Sequence, residues 1–197
     1  EGKFFSTNDS IFQEIKKMKE VAFFSEVLEE NALLTYKDYQ LPISIKGIDS
    51  NARNVSNLDE SIIEGENLIH NRAFQFGIVG IGVANQIPVG INFSESVQIY
   101  APKINSKINL ARPETSFSQQ NVLISGVFAS KQKQYDNKYL FIDIQNARTL
   151  FERKPTEVSA IELKINKDFS IEKVKKKIAK LLGKDFSVLN RYEQQAD

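Results

Sequence analysis

The sequence predicts an α+β fold: two strand–helix–strand units, one at each end, build a helix-on-sheet layer around a β-rich middle block. Three observations carry this prediction. Ile11, Phe12, Ile15 and Met18 recur on one helical face of residues 8–20, and Ile171, Val174, Ile178 and Leu181 do so within 169–190. The helices open alike, on Ser10-Ile11 and Ser170-Ile171, and Phe24-Ser25-Glu26-Val27-Leu28 after the first is echoed by Phe186-Ser187-Val188-Leu189 after the second. Between them the apolar runs are short and of strand type.

In chain order, Lys3 to Phe5 predict a short strand, and Asn8 to Ser10 supply a cap for the helix over 8–20. "VAFFSEVLEENALLTY" (21–36) reads as a strand, Tyr36-Lys37-Asp38-Tyr39 as a turn, and "LPISIKGID" (41–49) as the returning strand. Residues 50–67 are polar and predict loop with short structure. "SESVQIYAP" (94–102) and "NVLISGVFA" (121–129) read as strands flanking an irregular polar segment, 103–120. "KYLFIDIQNARTLFERK" (138–154) predicts a strand, a cap at Asp143 and a helix burying Ala147, Leu150 and Phe151. "VSAIELKI" (158–165) is a strand feeding the last helix, which Ser170 caps and Gly183 ends. A final strand is expected from Phe186 to Leu189. Fourteen phenylalanines and no tryptophan imply a Phe-rich core. One member of each adjacent pair, Phe4-Phe5 and Phe23-Phe24, is expected to be exposed, because strand neighbours face opposite ways.

Composition narrows the chemistry. With a net charge of +1 the chain carries no global field for nucleic acid, and none is expected as a partner. No cysteine means no disulfide, thiolate zinc site, iron–sulfur cluster or cysteine nucleophile. His70, the one histidine, sits in a polar stretch and reads as a solvated loop residue. The acidic pairs Glu29-Glu30 and Asp59-Glu60, with Glu64 and Glu66, lack a nucleophile or ligand set beside them. The lysine run Lys173, Lys175 to Lys177 lies opposite an apolar helical face and reads as a solvated surface. No catalytic residue, metal ligand or cofactor is expected, and the chain is read as a non-enzyme.

One motif argues otherwise. Gly80-Ile81-Gly82-Val83-Ala84-Asn85 is most of a GxGxxG, which would cradle a dinucleotide at a strand-to-helix turn. Asn85 replaces the third glycine and Pro88 cuts any helix to under two turns. The better reading is a short buried strand–turn–helix, with Gly80 and Ala84 small so that it lies close to a sheet.

The stretch "GIVGIGVANQIPVG…VQIYAP" resembles the periplasmic domains of FtsX/MacB-like ABC transporter permeases, through Gly80, Ala84, Ile87, Val89, Gly90, Val97, Ile99 and Pro102. Downstream, Gly126, Phe128, Tyr135, Asp136, Phe141, Ala147 and Leu150 match the same family pattern, and 33–49 and 158–165 fit its flanking strands. Within the family the chain is most similar to the lipoprotein-releasing permeases, the LolC/LolE group. The resemblance implies a porter-like subdomain in two pseudo-repeated βαβ halves, 1–70 and 135–197, with a small β-rich Sabre subdomain, 71–134, inserted between them. It also implies a location on the periplasmic side of the bacterial inner membrane, as a loop excised from a multi-pass protein. The abrupt ends, "EGKFFSTNDS" and "NRYEQQAD", suit that expectation. The implied role is mechanical. The domain would guide lipoprotein cargo to a LolA-like periplasmic carrier, beside a second permease subunit and driven by a separate ATPase subunit.

The same resemblance makes 103–120 a protruding hook that engages the carrier. Pro113 takes the place of the proline near the hook's tip, and Ile108, Leu110 and Phe117 are the apolar residues offered to a partner's cavity. At the hook base the family's polar and basic residues are matched by Gln98, Gln120 and Asn121, which leaves two arginines without a counterpart.

Overall fold

The computed structural model describes residues 3–91, 94–104, 113–130 and 132–194. Its centre is a ring of six strands. Strand β2 (Val21–Tyr36) turns at Lys37-Asp38 into β3 (Tyr39–Ile48), with Tyr36 opposite Tyr39. Lys37 takes a positive φ of 52° at that turn. β3 pairs in parallel with β8 (Tyr139–Asp143), and β8 pairs antiparallel with β5 (Phe76–Gly80). β5 runs parallel to β7 (Phe117–Phe128), which is antiparallel to β6 (Ser96–Pro102). β6 returns to β2 through Leu33↔Tyr100, Leu34↔Ile99 and Thr35↔Gln98, and the ring closes. Closure leaves these strands without free edges over the paired stretch. Inside lie Leu34, Ile43, Ile45, Val97, Ile99 and Ile142, each at most 1% exposed.

β2 is 16 residues long, about 50 Å at strand rise. Its second half belongs to the ring. Its first half leaves it and pairs with β10 (Ala160–Ile165), carrying a second layer. Helix α1 (Ser10–Lys16) and helix α7 (Ile171–Leu182) both pack there, and Phe12, Ile15, Phe24, Val174 and Ile178 form one buried cluster. The two terminal helices therefore share one core. Phe5, Phe12 and Phe186 meet ring to ring inside it, at 4.9–5.4 Å between centroids. Ser170 caps α7 by accepting from the Lys173 N–H, and Gly183 ends it at φ 73°, a conformation costly for any side chain with a Cβ.

The remaining elements are small. β1 (Phe5–Ser6) pairs with β9 (Glu157–Val158), and β4 (Ile62–Gly65) adds to β7. Helices α2 (Ala52–Val55) and α3 (Leu58–Ser61) cover a third cluster around Val27, Ile48, Ile69 and Phe128. Helix α6 (Ile144–Leu150) follows β8, its N-terminus capped by Asp143, whose carboxylate accepts from the Gln145 N–H at 2.7 Å. Helix α8 (Arg191–Gln194) closes the described chain.

Several expectations need correction. No strand forms over Phe186 to Leu189: a turn of 3-10 helix at Gly183–Asp185 leads into irregular chain, and Phe186 and Val188 pack on the helical cluster instead of a sheet. The echo of the first unit is not carried into the structure: Ser25, Val27 and Leu28 are buried, whereas Ser187 and Leu189 are exposed and Val188 is half-buried. Of the phenylalanine pairs, Phe23 is exposed and Phe24 buried as expected, but Phe4 and Phe5 are both half-buried. His70 is exposed in a turn as expected, and it is also anchored. Its Nδ1 lies 2.7 Å from the Asp143 carboxylate, tying the loop before β5 to the cap of α6.

Candidate partner-binding site

The glycine motif does stand at a strand-to-helix turn. Gly80 ends β5 and precedes helix α4 (Ile81–Ala84), only four residues long. What lies against the glycines is protein. A Cβ on Gly80 would stand 2.7 Å from the carbonyl carbon of Asp136 and 2.9 Å from its Cα; one on Gly82 would stand 2.8 Å from Cα of Asn137. The neighbour is the end of helix α5 (Lys133–Asp136) and not a sheet, as the sequence reading had it. The cradle that a phosphate would need is filled. Among the described residues no group of three or more His, Asp or Glu side chains is placed to hold a metal.

The segment expected to be a hook joins β6 to β7. Their ladder runs up to Pro102↔Phe117, and the Lys103 N–H donates to Ser116 O at 3.0 Å beyond it. Pro113–Ser116 form a 3-10 turn at the foot of the returning arm. The segment is therefore the connection of an antiparallel hairpin, and Phe117, counted as hook, is already β7. Ile108 and Leu110 lie outside the described residues, and of Pro113 only the backbone is described.

Pleat alternation sorts the base residues. Val97, Ile99 and Ala101 point into the ring, so Gln98, Tyr100 and Pro102 point out. Gln98 faces Asn121 directly across the ladder, and both are exposed on the outer wall with Phe117, which is 38% exposed. The Tyr100 hydroxyl donates to Gln98 Oε1 at 3.0 Å, holding that amide in place. Gln120 is opposite Ile99 and turns inward. Its Nε2 donates to Asn146 O at 2.9 Å on α6, and its Oε1 is buried without a partner among the described residues. The geometry thus brings Gln98, Asn121 and Phe117 to one surface and removes Gln120 from it.

The sequence reading missed what flanks the arm's root. Ile104, 38% exposed, donates its N–H to Glu152 Oε2 at 3.2 Å. Beside it a cavity of about 290 Å³ is lined by Glu30, Asn31, Pro102, Ile104, Phe151 and Arg153. The Arg153 guanidinium lies 3.6 Å from the centre of the Phe4 ring and reaches Glu30 Oε2 at 3.3 Å, a carboxylate shared with Lys3 at 2.8 Å; the Arg153 Nε is buried without a partner among the described residues. A cation therefore stands at the arm's root, but it comes from the chain after α6, some fifty residues away in sequence. Only its position in the fold reveals it.

No protein-family model and no curated protein matches the chain by sequence. Solved structures do. The extracellular domain of YknZ, a noncanonic ABC-type transporter from Gram-positive bacteria, superposes with a TM-score of 0.59 at 16% identity, over 92% of this chain and 84% of that one. The periplasmic region of MacB from Actinobacillus actinomycetemcomitans gives 0.59 at 13% identity, over 88% and 71%. A permease-protein domain from Porphyromonas gingivalis gives 0.53 at 11%, over 91% and 70%. The fold is thus the mixed α+β fold of the extracytoplasmic domains of ABC-type transporter permeases. No helix of the described residues is long and apolar enough to cross a membrane.

Proposed function

We propose that this chain is the periplasmic domain of an ABC transporter permease that helps extract lipoproteins from the inner membrane and passes them to a LolA-like soluble carrier. A separate ATPase subunit and a second permease subunit complete the machine. The likeness to permease domains supports the broad reading. The end of the β6–β7 ladder is the observation that carries the carrier-docking reading: Phe117, Gln98 and Asn121 are exposed there, and Arg153 stands beside Pro102 and Ile104. Residues 1–70 and 135–197 would be the porter-like halves and 71–134 the Sabre-like insert. Apolar Ile108 and Leu110 would enter the carrier's cavity, with Pro113 stiffening the arm.

Because Phe117 and Ser118 pair with Pro102 and Ala101, the deletion that isolates the arm is 105–112, closed by a short turn. The shortened domain keeps its melting transition and loses capture of the carrier, and Leu110→Asp or Phe117→Asp weakens capture at least about tenfold, since burying a carboxylate in an apolar cavity is costly. Capture undiminished by the deletion would sink this reading. It would favour the second one, a MacB-like efflux permease or an FtsX-like regulator of a cell-wall hydrolase, for which the MacB superposition speaks equally.

A further inference from the structure

β10 has an open edge. Its backbone groups divide between two sides, and side-on contacts settle which residues face where. The Glu26 N–H points to the Asp49 carboxylate, away from β10, whereas the Glu29 N–H meets Ser159 Oγ and Val27 O accepts from the Ser159 N–H. Odd-numbered residues of β2 therefore bond β10, and in the register Val27↔Ala160, Ser25↔Glu162, Phe23↔Lys164 they bond its even-numbered ones. The N–H and C=O groups of Ile161, Leu163 and Ile165 face outward, and none of them has a hydrogen-bond partner among the described residues.

This edge is self-complementary. We propose that it pairs antiparallel with β10 of a second copy of this chain, about a two-fold axis through Leu163. In that register Leu163 meets Leu163 of the other copy and Ile161 meets Ile165, so the outward groups satisfy each other. Glu162 then stands opposite Lys164 twice, at the pair type where side chains approach most closely. Glu162 holds Lys46 through Oε1 at 2.7 Å, and Oε2 accepts no hydrogen bond among the described residues, so one oxygen remains for the incoming lysine. A slip of two residues one way sets Glu162 against Glu162, and the other way Lys164 against Lys164. The charges that guard an edge against indiscriminate pairing here favour this register over its two nearest alternatives. Half-buried Ile161, Leu163 and Ile165, which flank the α1/α7 cluster, gain cover from the second copy.

Sedimentation equilibrium of the 197-residue chain at rising concentration tests this, together with residue-level amide exchange. The wild type and Lys164→Arg associate into dimers, with exchange at Ile161, Leu163 and Ile165 slowing as concentration rises. Lys164→Glu, at an exposed site, keeps the far-UV spectrum and weakens dimerisation at least about tenfold by setting Glu against Glu in both pairs. A wild type that stays monomeric to about 1 mM, the effective concentration a short tether supplies, overturns the proposal. So does a dimer indifferent to Lys164→Glu, or protection that rises anywhere but at those three amides.

Discussion

At the scale of single residues, the glycine pair shows how a motif and its reason separate. "GIVGIG" is legible as a strand-to-turn signal, and strand and turn are present, but the reason for the glycines lies some fifty-five residues away at Asp136 and Asn137. No local pattern encodes that contact. Gly80→Ala presses a methyl into backbone and lowers stability by about 2–3 kcal/mol, as overpacking does, with no change in binding of NAD or ATP; urea unfolding and calorimetry check the two halves. Lys46 was equally hidden. It reads as one polar letter in "LPISIKGID", yet it is 7% exposed, paired with Glu162 and 5.7–5.8 Å from the Tyr135 and Phe141 ring centres. Burial works against its charge, but the Glu162 carboxylate and the Tyr135 and Glu29 neighbours outweigh that and hold its pKa above the ordinary lysine value. Lys46→Ala costs about 3 kcal/mol, because Glu162 is then left largely buried without its cation. Asp143 gives the pH-dependent case. Burial pushes its carboxyl up, but the His70 ring and the Gln145 and Asn146 N–H groups prevail and hold it below the usual 3.8. A depressed carboxylate stabilises above its unfolded pKa and loses that contribution as pH falls through the folded one. The stability gap between wild type and Asp143→Ala should therefore be full near neutral pH and close below about pH 4.

At the scale of elements, helices and long strands were readable where period and punctuation agreed. The 21–36 strand has the bounds expected, and Ser170 and Gly183 bracket α7 as a cap and a stop should. The strand expected over Phe186 to Leu189 failed because its apolar alternation, Phe186 and Val188, serves a helical cluster reached by irregular chain. A period of two states which side chains share a face; whether another strand lies alongside is a tertiary fact. The same limit split the hook base. Gln98, Gln120 and Asn121 looked equivalent as polar letters near an arm, and only the register, Gln98↔Asn121 and Ile99↔Gln120, turns one of them inward. Carrier capture should accordingly respond to Gln98→Ala and Asn121→Ala. Gln120→Leu, which keeps the volume and removes the unpartnered Oε1, leaves capture unchanged and alters stability by under about 1.5 kcal/mol.

At the scale of the whole molecule, the ring and the helical layer have distinct cores joined along β2 and bridged by Phe5 and Ile161, which pack against both. The ring draws β2 and β3 from 1–70, β5, β6 and β7 from 71–134, and β8 from 135–197, so none of those segments can leave without opening it. The helical layer rests on the other half of β2, where Leu28 belongs to the ring's cluster and Phe24 to the layer's, four residues apart. Losing the layer's core would free the first half of β2 and strip β10, with Ile161 packed against both clusters. The two should therefore unfold together. The chain offers a clean test, since it has no tryptophan and five of its six tyrosines, Tyr36, Tyr39, Tyr100, Tyr135 and Tyr139, sit on ring strands or beside them. Tyrosine emission reports the ring, while ellipticity near 222 nm is weighted to the helices, of which α7 is the longest. Phe12→Ala removes a buried ring from the layer alone, at about 3–5 kcal/mol. Under two-state coupling it moves both urea midpoints down by the same amount. A tyrosine transition that stays at its wild-type midpoint while the helical one falls would mean that β2 crosses two independent domains without linking them.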